Sequence, residues 1–515
     1  MQTSHPQRAV ARRALPILAL AIGVALPCIW AAAALAQSTG WTQFQAGATK
    51  AGATAEGPEP AYRQAWRTAI TPGGPGERFG VSAPVIVDGV AVVVGPEQVL
   101  GIDLASGDQV FAAPRELGPS VPAAIATVGG ATAIVYTEGW GDGPPPPPTA
   151  DETSTAPASP DPTSTDAAVD DDAAGHLAAI DAVDQRPLWP PVPVDGVSRT
   201  GVTVLDETAV VGVNDGTVTA VDLSDGRVAW QRRLGAQLTT PLAAADGLVV
   251  VALQGDVDTQ PLMVALDSAT GEERWRYEPS APSFFLSALS IGDDTAFAVV
   301  TGQAETSLVS VDLADGAERW HRRIGGTTDP GAPPVVSDGA VFVTDLSGHS
   351  HSFDAATGEE RWDFASNFLV LRGAPILVRS ALLVPGADGQ IDAIDVASGE
   401  LVWRRAADDA PVRALAGAAD LLVVVRGGER SGMEAYEHDP DVALLREASP
   451  TTLALGRMLG SMAIATVPLI AAAILLGTWL SRRMGPAFPD EPDDEAAGPG
   501  GEPIPDPWED EEPAP

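Results

Sequence analysis

His349 and His351, separated by one residue, are the nearest approach in this chain to a metal pair. They fall in a stretch that reads as a β-strand, where positions i and i+2 share a face, so both imidazoles would reach one ion. A zinc site takes three or four protein ligands, and no third ligand stands near the pair in sequence. His349 and His351 therefore stay candidates without a completed site, and no metal is expected. The acidic run Asp170-Asp171-Asp172 lacks the alternating ligand spacing of an oxygen-rich calcium loop. Gly-rich phosphate loops, H-E-x-x-H and G-x-S-x-G are all missing, which removes the common hydrolase routes. The one cysteine, Cys28, lies in an N-terminal apolar stretch, so neither a disulfide framework nor a cysteine-held metal is available. No catalytic residue is assigned.

Charge narrows the partners. The 515 residues include 69 Asp and Glu against 30 Lys and Arg, a formal charge of −39, and Lys50 is the single lysine. Nucleic acid is excluded, because neutralising phosphates needs clustered basic side chains. Residues 37–450, leaving out an insertion at 139–175, hold 24 basic and 50 acidic residues, net −26. That field repels anionic lipid, polyanions and acidic proteins, and attracts cationic partners or divalent ions.

The elements that carry these residues are set by an internal repeat. Asp267-Ser-Ala-Thr-Gly271-Glu-Glu-Arg-Trp275 recurs as Asp354-Ala-Ala-Thr-Gly358-Glu-Glu-Arg-Trp362. Close copies are Asp222…Gly226…Trp230, Asp312…Gly316…Trp320 and Asp395…Gly399…Trp403, and weaker ones are Asp103…Gly107…Phe111 and Asp181…Gln185…Trp189. The aromatic follows the Asp by eight positions in all seven copies, and successive aromatics lie 78, 41, 45, 45, 42 and 41 residues apart. The long step contains residues 139–175, a 37-residue insertion rich in Pro, Ser and Thr with eight acidic residues; without it the step is 41. This insertion reads as a flexible loop. A further step of 45 before Phe111 lands on Trp66.

Within one period the pattern is four short strands: residues 241–245, 248–253, 261–266 and 272–277. An Asp-Gly hairpin turn joins the first two and the Asp-to-Gly motif turn joins the last two. Four strands per 41–45 residues means propeller blades. After Trp403 the chain has strand patterns but no closing aromatic, and Glu437 falls 42 residues past Asp395, in register with the missing Asp. Trp66 has a fourth strand but no preceding three. The two ends complete one another, so the expected fold is all-β: an eight-bladed propeller of four-stranded blades, its ring closed by the N-terminal strand.

These motifs, with the opening Trp41-Thr-Gln-Phe44, resemble the pyrroloquinoline-quinone-like (PQQ-like) β-propeller repeats over roughly residues 41–437. That family includes quinoprotein dehydrogenases and the barrel-assembly accessory propeller of bacterial outer membranes. The resemblance implies two possible lives. A dehydrogenase of the family would hold PQQ and Ca²⁺ at the ring's centre with carboxylate and amide oxygens, an Asp base and a stacking aromatic, but no such constellation maps onto numbered positions here. The repeat's Asp, Gly and Trp are architectural in binders and enzymes alike.

The termini supply a topology. Arg8, Arg12 and Arg13, an apolar stretch from Ala14 and the Ala34-Leu35-Ala36 site make residues 1–36 a secretory signal. Residues 458–480 are 23 uncharged residues, about 34 Å as a helix against the roughly 30 Å hydrocarbon core. Arg482-Arg483 follow directly and place the C-terminus in the cytoplasm. The expected layout is a lead-in at 37–60, the propeller at 61–437, a juxtamembrane stalk at 438–457, one transmembrane helix at 458–480 and an acidic disordered tail at 481–515. The expected function is a single-pass, cell-membrane-anchored extracytoplasmic scaffold that holds an envelope protein or small ligand, cationic in character, with no cofactor and no catalysis. The alternative is a PQQ-dependent oxidoreductase.

Overall fold

The computed structural model describes residues 41–447 apart from 71–79, 140–174, 256–259, 281–282, 303–304, 327, 329–330, 371–372 and 428–430. The signal, the 458–480 run, the acidic tail and nearly all of the insertion lie outside the described residues. No described helix is long and apolar enough to cross a membrane.

The described strands form eight blades at residues 85–114, 124–193, 202–233, 243–277, 290–324, 335–365, 376–405 and 412–438, numbered 1 to 8, antiparallel except that Ala53–Thr54 adds to the inner strand of blade 7 in parallel. Blade 4 is typical, running Ala243–Ala245, Leu248–Leu253, Leu262–Asp267 and Glu273–Tyr277 from the axis outward. Its first turn puts Asp246 at φ 50° and Gly247 at φ 74°, the left-handed pair a two-residue hairpin demands. Blade 5 has an extra inner piece, Ser283–Leu286, beside Ser290–Gly292.

Blade 8 takes its outer strand from the N-terminus. Tyr62–Ala69 pairs antiparallel with Gly432–His438, and Trp66 opposes Ala435 as Trp275 opposes Ala265 in blade 4. Glu437, at the position the repeat gives to Asp, makes an ion pair of 2.6 Å with Arg63. Middle strands are buried on both faces because neighbouring blades stack on them, which explains their continuous Val, Leu and Ala composition. Between blades 1 and 2, for example, Val92 and Val94 pack with Ile134 and Tyr136.

Candidate functional site

The repeated residues build the joints between blades. Asp267 Oδ1 accepts hydrogen bonds from the N–H groups of Ala269 (3.1 Å) and Thr270 (2.9 Å), and Oδ2 accepts from Arg274 at 2.6 Å. The Arg274 hydrogen bond, seconded by Thr270, holds the Asp267 carboxyl down at about 2. Arg361 does the same for Asp354, also at about 2, and Arg319 lowers Asp312. In the same turns Asp222 and Asp395 accept from the N–H groups of Ser224 and Ser398, at 2.8 and 2.9 Å.

Each turn's glycine receives the previous blade's tryptophan. Gly271 sits at φ +69°, and a Cβ there would lie 2.6 Å from the Trp230 ring. Gly226, Gly316, Gly358 and Gly399 meet Trp189, Trp275, Trp320 and Trp362 in the same way, at 2.7, 2.7, 2.7 and 2.8 Å. The indole N–H then donates to a carbonyl of that next turn: Trp230 to Ser268 (2.8 Å), Trp275 to Leu313 (2.7 Å), Trp320 to Ala355 (3.0 Å) and Trp362 to Val396 (2.8 Å). Trp403 faces blade 8, which has no such turn, and packs edge-on against Tyr62 with centroids 4.9 Å apart.

Two parts of this joint escaped the sequence reading. Two positions beyond the tryptophan, Arg232 and Arg322 donate across the seam to the Gly271 and Gly358 carbonyls, at 2.8 and 2.7 Å. In blade 1 the set is exchanged as a unit. Phe111 folds back over its own blade's Gly101, where a Cβ would stand 2.1 Å from the ring, while the equivalent partners of Trp230 and Trp275 are Ala220 and Ala265. The next blade's turn then has room for a side chain, and Gln185 occupies the glycine position at φ 58°.

The axis holds the largest departure from expectation. Residues 41–57, read only as a lead-in, wind round the channel and bond the blades in order. The carbonyls of Trp41, Thr42, Ala48, Thr49, Ala51 and Gly52 accept from Ile86, Ile125, Ala244, Ile291, Val336 and Leu377, on blades 1, 2, 4, 5, 6 and 7. The Gln43 carboxamide pairs with both the C=O and N–H of Val204 on blade 3, at 2.8 and 3.0 Å, and Gly57 N–H donates to Ala419 on blade 8 at 2.6 Å. Lys50 is enclosed in this winding, its amine 3.3 Å from Gln43 Oε1, and burial alone pulls it down to about 7. A cavity of about 210 Å³ remains against Phe44 and Gln45, with Arg413 and Leu415 in its wall.

The described inner strands bring no carboxylate to the channel. From Val85–Val87 and Ala124–Val128 round to Ile376–Val378 and Val412–Ala418 they contain no Asp or Glu, and Arg413 is their one ionisable residue. No group of three or more His, Cys, Asp or Glu among the described residues could hold a metal. The two candidate histidines do lie together, rings 4.4 Å apart, but each is tied to its own carboxylate: His349 to Asp363 at 2.9 Å and His351 to Glu360 at 2.8 Å.

Charged groups concentrate instead at the seam of blades 7 and 8. The fully buried Arg426 donates to Asp408 and to Glu434, the latter at 3.4 Å, while Arg405 reaches Asp408 at 2.9 Å and the Tyr436 hydroxyl at 2.6 Å. Burial pushes the Asp408 carboxyl up, but hydrogen bonds from Arg405 and Arg426 outweigh it and hold it well below the usual range. Away from that seam, within blade 7, Arg404 closes on the buried Asp392 at 2.6 and 2.8 Å, and Asp392 also accepts from Ser366 at 2.8 Å. Each of the seam side chains has a charged partner, with only Arg426 Nε left without an acceptor among the described residues, so the cluster acts as a lock on the last blade.

The fold and joints define a β-propeller of PQQ-like repeats. The chain belongs to that family: the family model for the outer membrane protein assembly factor BamB matches residues 173–332 and 326–436, about half of the chain. The BamB proteins of Yersinia pestis and Burkholderia pseudomallei are 28% and 27% identical over 29% and 45% of this chain. The matched stretches span 40% and 60% of those relatives' own lengths. A quinohemoprotein alcohol dehydrogenase of Comamonas testosteroni is 26% identical over 38% of this chain and 29% of its own. The crystal structure of BamB from Moraxella catarrhalis superposes with a TM-score of 0.53 at 14% identity, covering 73% of this chain and all of that one, which speaks to the fold alone.

Proposed function

We propose that this protein is an extracytoplasmic binding or scaffold module of the bacterial envelope, anchored by one helix at residues 458–480 with its acidic tail in the cytoplasm. The observation that carries the reading is the axis: the winding of residues 41–57 takes the space, and the walls around it bring no carboxylate. The repeated polar residues are engaged in blade joints, so the described residues offer a closed ring with shaped faces and no reactive constellation. Relatives named as outer membrane protein assembly factors support an envelope protein as partner. The net −26 of residues 37–450 without the insertion favours a cationic one. A quinone-dependent oxidoreductase, the second reading, draws on the Comamonas likeness.

The test is reversible crosslinking of a tagged full chain in intact cells, followed by purification at 0.15 and 0.5 M salt. A defined envelope protein recovered at the lower salt and lost at the higher supports a charge-steered module. Recovery of no envelope protein at either salt overturns the reading.

A further inference from the structure

The outer strand of each blade is an edge, whose free N–H and C=O groups can template another chain. Most edges of this ring are guarded. Arg227–Arg233 of blade 3 carries three arginines; Glu273–Tyr277, Glu318–Ile324 and Glu360–Ala365 of blades 4 to 6 each begin with Glu-Arg; Tyr62–Ala69 of blade 8 carries Arg63 and Arg67. Blade 2 ends in a two-residue strand, Val192–Pro193.

In blade 7 the two arginines of the outer strand, Arg404 and Arg405, are drawn onto Asp392 and Asp408 instead of guarding the edge. That strand, Leu401–Arg405, opens with Leu401-Val402 where blades 4 to 6 have Glu-Arg. The chain covers that edge itself: Leu401 exchanges hydrogen bonds with Glu447 at 2.8 and 3.0 Å, and Leu445 N–H donates to Val402 at 3.0 Å. Leu401 is thereby fully buried and Val402 is 7% exposed.

Among the described residues, blade 1 has the apolar edge without the cover. Its outer strand Gln109–Pro114 reads Gln-Val-Phe-Ala-Ala-Pro, with no charge, and the terminal Pro114 is its one guard. Val110 is 53% exposed, and among the described residues no strand lies beyond this one. Asp108 precedes it and Glu116 follows it.

We propose that the outer strand of blade 1 is a docking edge for an extended segment of a partner protein, which adds as a fifth strand and carries basic residues at both ends. Blade 7 supplies the geometry, since there an extended segment already covers an apolar edge through main-chain hydrogen bonds. The exposed Asp108, and Glu116, which stays 59% exposed although it lies 3.2 Å from His176, supply the charge preference. A second copy of this chain is disfavoured as occupant, because each would bring a net charge of −26 from residues 37–450 even without the insertion. The inference rests on the reading of the protein as a binding module.

The test titrates the full chain with a fixed panel of nine-residue peptides that alternate Val or Ile with Thr and carry Lys at both ends, read by fluorescence anisotropy. Binding should weaken at least tenfold in Val110→Lys and in Ala112→Lys, and with peptides N-methylated on alternate backbone nitrogens. It should be unchanged in Arg274→Ala, on a guarded blade. Both lysine changes fall at exposed positions, and an unchanged melting temperature shows that they still fold. No binding to wild type, or equal binding to Val110→Lys, overturns the proposal. An envelope partner that crosslinks equally to wild type and Val110→Lys sinks this edge but leaves the binding module standing.

Discussion

Lys50 is the costliest residue in the ring. Its amine is buried without a carboxylate, and the folded value of about 7 lies well below the ordinary 10.5. The unfolded chain therefore takes up a proton below 10.5 that the folded chain refuses until about 7, so stability falls as pH drops through that window and levels off beneath it. Lys50→Met, similar in volume, should stabilise the protein at neutral pH by on the order of 5 kcal/mol and flatten the pH dependence of urea unfolding between about pH 7.5 and 9.5. An unaltered slope would contradict this account of the amine. Blade 1 gives a second residue-scale prediction. Gly101→Ala should cost about 1–3 kcal/mol by overpacking against Phe111. Combined with Phe111→Trp and Gln185→Gly, it should recover most of that loss, because the triple change restores the set used by blades 3 and 4. Additive losses across the three sites would show that the exchange is not a unit.

At the scale of elements, the blades were legible and their fastenings were not. The eight-residue Asp-to-aromatic spacing located every motif turn, and the register of Glu437 with Asp395 anticipated that Tyr62–Ala69 would complete the last blade. Those signals are local and periodic, which is what a sequence displays well. The winding of residues 41–57 has no period, and its partners are backbone groups 45 to more than 300 positions away. The seam lock is scattered from Arg405 to Tyr436, and the cover on blade 7 falls in residues read as a stalk. In the blade 1 exchange, Phe111 and Gln185 looked like weak copies, because the compensating Gly101 lies outside the motif. Gln43 is the best probe of the winding. Gln43→Ala leaves the Val204 N–H and C=O buried without partners and removes the one acceptor of Lys50. It should cost about 2–4 kcal/mol, seen as a lower urea midpoint at unchanged m-value. A midpoint equal to wild type would mean that the winding does not fasten the ring.

For the whole molecule, charge and closure act together. The net −26 of residues 37–450 without the insertion is a self-repulsion that the closed ring must withstand. Added NaCl should therefore raise the melting temperature between about 0.02 and 0.5 M, where screening length falls severalfold. A flat or falling trend would mean that the Arg-to-Asp pairs of the turns, weakened by the same salt, outweigh the net repulsion. The central claim, that the disc binds partners and does no redox chemistry, is tested most directly by melting the full chain in titrations of pyrroloquinoline quinone and Ca²⁺, together and separately. A ligand at about 100 times its Kd would add about 2.7 kcal/mol of stability. The structure predicts no saturable shift from the quinone, with or without the ion. A saturable rise that needs both would contradict the account and make the axis a cofactor site.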